Sequence, residues 1–173
     1  MARGILILGL NGCGKTTVGR SLAALLGFAA LDAEAFYFPV PGDYSQSRSA
    51  AEAHALMKCA IDADGDFVLT CVRCNLPDDI LAHVQLCVVL RALPELRAQR
   101  ILQRETDRFA QSVLPGGDRY EEYMRFAAFA ASRSEETVDA SLDRLSCPVM
   151  EADASLAVED VAYSIRRRWY SLQ

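Results

Sequence analysis

"GILILGLNGCGKTT", Gly4 to Thr17, is the stretch on which the reading of the chain turns. Its first half is an unbroken apolar run, as expected for a parallel strand buried on both faces. The residues after it, "KTTVGRSLAALLGF", place Val18, Leu22, Leu25 and Leu26 at helical spacing and stop at Gly27, a natural helix-ending residue. Between strand and helix, Gly9, Gly14, Lys15 and Thr16 satisfy the pattern G-x-x-x-x-G-K-[ST]. Glycines let such a loop curl so that successive N–H groups point inward, and the following helix adds the positive end of its dipole. A lysine at this position reaches the β- and γ-phosphates of a nucleotide, and the next hydroxyl completes the coordination of Mg²⁺. The expected nucleotide-binding set is Gly9, Asn11, Gly12, Cys13, Gly14, Lys15, Thr16 and Thr17. Cys13 is either a thiol with a lowered pKa at a helix N-terminus or a small residue filling a tight bend.

Outward from this stretch, strands and helices alternate. "FAALDAEAF" reads as a short second strand ending at Asp32, "PVPGDY" as a loop, and "SRSAAEAHALMKCAIDADG" as a helix stopped near Gly65. "DFVLTCV" and "VQLCVVLRA" read as the third and fourth strands, and Pro94 opens an Arg-rich helix, "PELRAQRILQRETDRF". "LPGGD" breaks the chain before a helix from about Arg119 to Arg133. A further helical stretch runs through "SEETVDASLDRL" with Ser134 as its N-cap, "CPVMEA" is a last strand, and "SLAVEDVAYSIRRRWY" an amphipathic closing helix. Apolar strands alternating with helices imply an α/β fold of three layers, with a five-stranded, mostly parallel sheet and helices on both faces. No repeat or long linker divides the chain, so residues 1–173 are expected to form one domain. Ligands of such sheets sit beyond the carboxyl ends of the strands. That rule points to the loop after the first strand, to Asp32–Glu34, to Cys71–Asn75 and to the segment after Leu90.

Composition narrows the class. The 173 residues are 51% hydrophobic with a net charge of −5, which fits a single well-buried core and argues against a general nucleic-acid binder. No charge-free apolar stretch approaches a membrane span, and the apolar start runs into the glycine loop instead of a cleavage site; a cytoplasmic protein is expected. Six cysteines are scattered, and Cys71-x-x-Cys74 lacks the second pair that a zinc set needs. Lysine occurs only at Lys15 and Lys58, while five arginines fall between Arg91 and Arg108. Arginine is preferred where a planar fork grips phosphate or carboxylate.

Three stretches together, "GLNGCGKTT", "LDAEAF" after the second strand and "VVLRALPELRAQRILQR" before a glycine-containing segment, resemble the small P-loop kinases, the nucleotide, shikimate and gluconate kinase group. The ending "CPVMEADASLAVEDVAYSI" resembles the last strand, adenine-side loop and closing helix of that group. Arg100-Ile101, "GGDRYE", Ser132-Arg133 and "CPV" are also similar to uncharacterised ATP-binding members. The resemblance implies ATP and Mg²⁺ as ligands, and a mobile lid, here approximately residues 104–133, whose arginines close over the phosphates. Arg97, Arg100, Arg104 and Arg108 lie near one face of their helix. Arg104 and Arg108 are the first candidates for closure, and Arg97 and Arg100 are open to either role; the alternative is a solvated helix in which Glu95 and Glu105 are the partners. "LPGGD" would be the hinge or tip of the lid.

On the acceptor side, Asp32 matches the place of an acid that approaches the acceptor hydroxyl and helps hold magnesium in shikimate-kinase-like members, with Glu34 replacing a second acid. A carboxylate there is a general base or an orienting acceptor; an Asp at a strand end also caps helices. The third strand, "DFVLTCVRCN", lacks the acid that many phosphate-loop enzymes place in their magnesium shell and the glycine run of shikimate kinases. It offers Arg73 instead, either to bind an anionic group or to pair with Asp32. Arg48 in "YSQSR" suits a phosphate or carboxylate, Arg133 either returns to the phosphates or ends a helix, and His54 and His83 read as structural. The expectation is an ATP-dependent phosphotransferase, monomer or homodimer, acting on a small anionic metabolite or nucleoside-like acceptor. Lys15, Asp32, Arg104 and Arg108 are its catalytic candidates, Asp32, Glu34, Arg48 and Arg73 its acceptor candidates, and Thr16 and Asp32 its metal ligands. A nucleoside-monophosphate kinase and a non-kinase ATP-dependent switch or ATPase are the alternatives.

Overall fold

The structure, a computed structural model, describes residues 2–40 and 44–173. Part of the expected "PVPGDY" loop therefore lies outside the described residues. Five strands, β1 (Gly4–Leu8), β2 (Ala29–Asp32), β3 (Phe67–Cys71), β4 (Val84–Arg91) and β5 (Val149–Asp153), form one sheet in the order β2-β3-β1-β4-β5. Every neighbouring pair is parallel. Helices cover both faces, as expected from the alternation of elements, and the architecture is a three-layer α/β one.

Side-chain alternation sorts the core. Along β1, Ile5 and Ile7 face one side while Leu6 and Leu8 face the other. The Ile5 face packs against α1 (Lys15–Leu26) and α8 (Val158–Tyr170) through Val18, Leu22, Val161, Ile165 and Trp169. The Leu6 face packs against α3 (Ala50–Asp64) through Ala53, Met57 and Ile61. α1 ends at Gly27 in the left-handed conformation, and α3 begins with a capping box between Ser49 and Glu52. β2 and β5, with one neighbour each, are only partly buried; β1 and β3 are buried along their whole length, and β4 everywhere but at Gln85 and Arg91.

Two short helices were not legible as such: α2 (Ala33–Tyr37), directly after β2, and α4 (Asp78–Leu81), before β4. α5 (Pro94–Phe109) carries the arginines, with Pro94 in its first turn. A 3₁₀ turn, Ala110–Val113, and α6 (Tyr120–Ser132) complete the segment read as a lid, and "LPGGD" between them is a hydrogen-bonded turn in which Gly117 N donates to Leu114 O. The stretch expected to start at a Ser134 cap is a single turn, α7 (Glu136–Asp139), that begins from Glu135, followed by a 3₁₀ turn at Leu142–Arg144. Ser134 instead takes part through its backbone oxygen, which accepts from Thr137 N. Among the described residues no helix is long and apolar enough to cross a membrane.

Candidate phosphate-binding site

All strands run the same way, so Leu8, Asp32, Cys71 and Arg91 end at one edge of the sheet, and the loops after them share it. The loop Gly9–Gly14 leaves β1 at the centre of that edge and delivers Gly14, at φ 93°, as the N-cap of α1. Gly12, at φ +84°, lies so close to α5 that a Cβ would come within 2.5 Å of the Arg97 carbonyl oxygen; only glycine fits there. Cys13 is buried, its N–H donates to Leu10 O at 3.3 Å, and it fills the bend under Gly9. Lys15 folds back on the loop, where Nζ donates to Leu10 O at 3.1 Å. Thr17 is exposed on α1.

Asp32 reaches this loop. Thr16 Oγ1 donates to Asp32 Oδ2 at 2.8 Å, while Asp32 Oδ1 accepts from Glu34 N at 3.1 Å and caps α2. The carboxylate therefore serves both as a helix cap and as the neighbour of the motif hydroxyl. Two hard oxygen donors so placed suit Mg²⁺, which keeps several waters and takes few protein ligands. No group of three or more His, Cys, Asp or Glu that could hold a metal occurs among the described residues. When bound, Mg²⁺ would supply charge neutralisation across the phosphates, held by Thr16 and Asp32.

The arginines sort differently from their spacing. Arg100 touches the loop: Nη1 donates to Cys13 O at 3.2 Å and Nη2 to Ala154 O at 2.8 Å. Arg133 also returns to it, with Nη1 3.5 Å from Asn11 Oδ1 and its guanidinium 4.9 Å from the centre of the Phe129 ring. Burial, and secondarily the positive charge of Arg73, hold the Arg133 pKa below its ordinary value. Arg73 itself is exposed after β3, and Asp32 is bonded to Thr16 and Glu34 N, not to Arg73. Arg104 is turned toward Glu105, to which Nε donates at 2.9 Å, and lies over Phe126 at 5.6 Å. Its Nη2 is as close to the same oxygen, 2.9 Å, yet is not aligned for a hydrogen bond. Arg108 is exposed in the last turn of α5.

Beside Asp32, Glu34 accepts from Tyr44 Oη at 2.7 Å, and Tyr44 stacks on Phe126 with ring centres 6.1 Å apart. Burial and the Glu34 bond push the Tyr44 phenol well above its usual pKa. α6 and the segment at Tyr44 thus touch through a pair of aromatic rings, a contact no local sequence signal announces. Arg48 closes the end of α2, donating to Phe36 O at 2.9 Å. His54 bonds the Tyr37 hydroxyl at 2.8 Å and His83 the Ala2 carbonyl at 2.9 Å, a structural use in both cases. Burial pushes the Cys71 and Cys74 thiols up, so both stay protonated near neutrality, and all six cysteines are free.

A central strand, a glycine loop, a helix starting at Lys-Thr, and an acid at the end of a strand on the same edge make up a phosphate loop in an α/β fold of the kind that the small P-loop kinases share. Residues 5–125 match the model of a family described as an AAA domain, and the chain belongs to that family. A curated relative, "Uncharacterized protein YqaC" of Bacillus subtilis (strain 168), is 26% identical over 168 residues, covering 92% of this chain and 93% of its own. Among solved structures, a sugar kinase from Janibacter sp. HTCC2649 aligns over 99% of this chain and 96% of its own, with a TM-score of 0.57 and 16% identity. A shikimate kinase from Acinetobacter baumannii aligns over 99% and 94%, with a TM-score of 0.56 and 20% identity. A gluconokinase from Sinorhizobium meliloti 1021 aligns over 98% and 96%, with a TM-score of 0.53 and 13% identity. These structural likenesses establish the shared fold.

Proposed function

We propose that the protein is an ATP-dependent phosphotransferase that moves the γ-phosphoryl group of ATP, in the presence of Mg²⁺, to a small anionic or nucleoside-like acceptor. The observation that carries this reading is the 2.8 Å hydrogen bond from Thr16 Oγ1 to Asp32 Oδ2, which brings the acceptor-side acid to the phosphate loop. A carboxylate beside the loop hydroxyl serves the magnesium shell of a nucleotide switch as well as of a kinase; transfer to a hydroxyl needs in addition an acceptor for its proton, and in this reading Asp32 supplies it. In this reading Lys15 and the loop N–H groups hold the phosphates and Asp32 orients or deprotonates the acceptor. Glu34 and Arg73 line the acceptor side, and Arg48 supports it by fixing the end of α2. Arg104 and Arg108 act from a lid over residues 104–133, after Arg104 leaves Glu105. The shikimate, gluconate and sugar kinases that share the fold are in keeping with a small-molecule acceptor. The protein acts as one domain in the cytoplasm.

The test is ³¹P NMR of the protein with ATP, Mg²⁺ and pooled hydroxyl-bearing and nucleotide acceptors. A new phosphorylated product is expected with the unaltered chain, and its rate should fall about a hundred- to thousandfold in Lys15→Ala, whose fold is kept. Slow phosphate release without a product would point to an ATPase or switch, and product formation by Lys15→Ala would overturn the assignment of the loop.

A further inference from the structure

α8 keeps one face for the core and leaves the opposite one to solvent. Val161, Ala162, Ile165 and Trp169 are buried against α1 and the sheet. On the other side Asp160, Tyr163, Ser164, Arg167 and Tyr170, with Arg166, line an open hollow of about 530 Å³ that among the described residues only α8 borders. Tyr163 and Tyr170 are more than half exposed there. Arg166 is taken up by Tyr170, whose ring centre is 5.6 Å away. Among the described residues neither Asp160 nor Arg167 makes an ion pair or a side-chain hydrogen bond. They stand seven positions apart, which puts them on one face of the helix but out of each other's reach within one chain.

This stripe is complementary to itself. Its midpoint falls between Tyr163 and Ser164, and Asp160 and Arg167 lie equally far to either side. A second α8 laid antiparallel across that midpoint brings its Arg167 to Asp160 and its Asp160 to Arg167. Tyr163 and Ser164 then flank the two-fold axis, each beside its own counterpart. A parallel copy would set acid against acid and base against base. An isologous contact of the antiparallel kind closes with two copies, each residue meeting its complement twice. An anionic partner such as nucleic acid or an acidic membrane fits less well, because Glu159 and Asp160 open the helix and the chain carries a net charge of −5. Tyrosine suits a face that is wet in one state and covered in the other, having an apolar ring and a polar tip.

We propose that the outer face of α8 is the contact of a two-fold homodimer, in which the two helices lie antiparallel and pair Asp160 with Arg167 in both directions. The strands all end at the edge that carries the phosphate loop, and α8 runs back from that edge after β5. The two loops therefore lie at opposite ends of the dimer and both stay open, so the contact is independent of the phosphotransferase reading. An interface made by one helix face belongs at the small end of the size range, and a dissociation constant of about 10–100 µM is expected. The helix dipole also favours acid in the first turn and base in the last, and the experiment separates that account from pairing between copies.

Sedimentation of the full chain over about 5–500 µM compares the unaltered protein with Asp160→Lys, Arg167→Glu, the double variant and Tyr163→Ser. Each single reversal sets like charges together twice and should raise the dissociation constant about tenfold or more, while the double variant should return to within about threefold of the unaltered chain. The dipole alone predicts the reverse order, since the double variant has the wrong charge at both ends of its helix. Tyr163→Ser changes no charge on an exposed position and should weaken the dimer severalfold in a chain that circular dichroism shows folded. A chain that stays monomeric at the highest concentration overturns the proposal. So does a dimer left unchanged by Asp160→Lys and Tyr163→Ser, which would place the contact on another face. Loss in both single reversals without recovery in the double variant would mean that the charges serve the helix and not a second copy, and the pairing fails. In each of these outcomes the rate of phosphoryl transfer per chain, measured on the same samples, judges the catalytic reading separately.

Discussion

Asp32 has two jobs that one substitution separates. As the cap of α2 it accepts from Glu34 N, and as the neighbour of the phosphate loop it accepts from Thr16. Asparagine caps a helix as well as aspartate does but carries no charge and accepts no proton. Asp32→Asn is therefore expected to unfold within about 0.5 kcal/mol of the unaltered chain. Its phosphoryl transfer to a hydroxyl acceptor should fall about a hundredfold. Urea titration checks the first, and product formation followed by ³¹P NMR the second. A full loss of stability with an unchanged rate would make Asp32 a cap and nothing more. At this scale the sequence is readable where chemistry is local. Gly14, Lys15 and Thr16 declare their roles through spacing alone, since a loop between a strand and a helix has few shapes. The arginines do not. Arg97, Arg100, Arg104 and Arg108 share one pattern of spacing, yet Arg97 is buried, Arg100 bonds the loop, Arg104 turns to Glu105 and Arg108 is exposed. Their differences come from where the end of β4 sets α5 against the loop, a tertiary fact absent from the helix's own periodicity.

At the scale of elements, Arg91 ties the end of β4 to two elements that come after α6 in the chain. Its guanidinium lies 2.7 Å from Glu135, 2.6 Å from Asp139 and 2.9 Å from Glu151, joining β4 to α7 and β5. Burial works against the charge, but the three carboxylates outweigh it and raise the Arg91 pKa. The partners are exposed to solvent, so each pair contributes little and the network contributes moderately. Arg91→Met is expected to lower stability by about 1–2 kcal/mol, and Glu151→Gln, at the most exposed corner, by less than about 0.5 kcal/mol. Chemical denaturation of the two variants distinguishes a network from a set of independent pairs. The elements themselves were mostly legible: the central strands announce burial by apolar runs, α3 its end by Gly65, and α5 its start by Pro94. α2 and α4 escaped because a helix of one turn has no period to detect; α7 was expected, but its start was misplaced because a Ser-x-x-Thr pattern resembles a cap without closing as one.

For the molecule as a whole, the Arg3–Asp66 pair locks the start of β1 to the start of β3, with Arg3 also 5.8 Å from the centre of the buried Trp169 ring. Burial pushes the Asp66 carboxyl up, but the bonds and charge of Arg3 outweigh it and leave the pKa below the ordinary carboxylate value. The folded state therefore binds this proton less readily than the unfolded chain does. Its contribution is fully present above the unfolded value of about 4 and is lost as pH falls through the lower folded value. Comparing the urea midpoints of the unaltered chain and Asp66→Asn, we expect a gap near pH 6 that narrows as pH drops below about 4. A gap independent of pH would mean that the pair acts by shape and not by charge. The fold was legible at this scale because alternation of element types constrains topology so tightly; the strand order, by contrast, comes from pairings between distant segments.

Those pairings have a temporal side. β1 lies at the middle of the sheet with β3 on one side and β4 on the other, Gly4 pairing with Phe67 and Val84. Arg3 and Asp66, which close the first of these contacts, are 63 positions apart. On a ribosome, the strand that carries the phosphate loop is thus made before either of its neighbours, and both of its edges stay open until β3 and then β4 have emerged. The most recognisable motif in the chain is synthesised before either of the strands that enclose it.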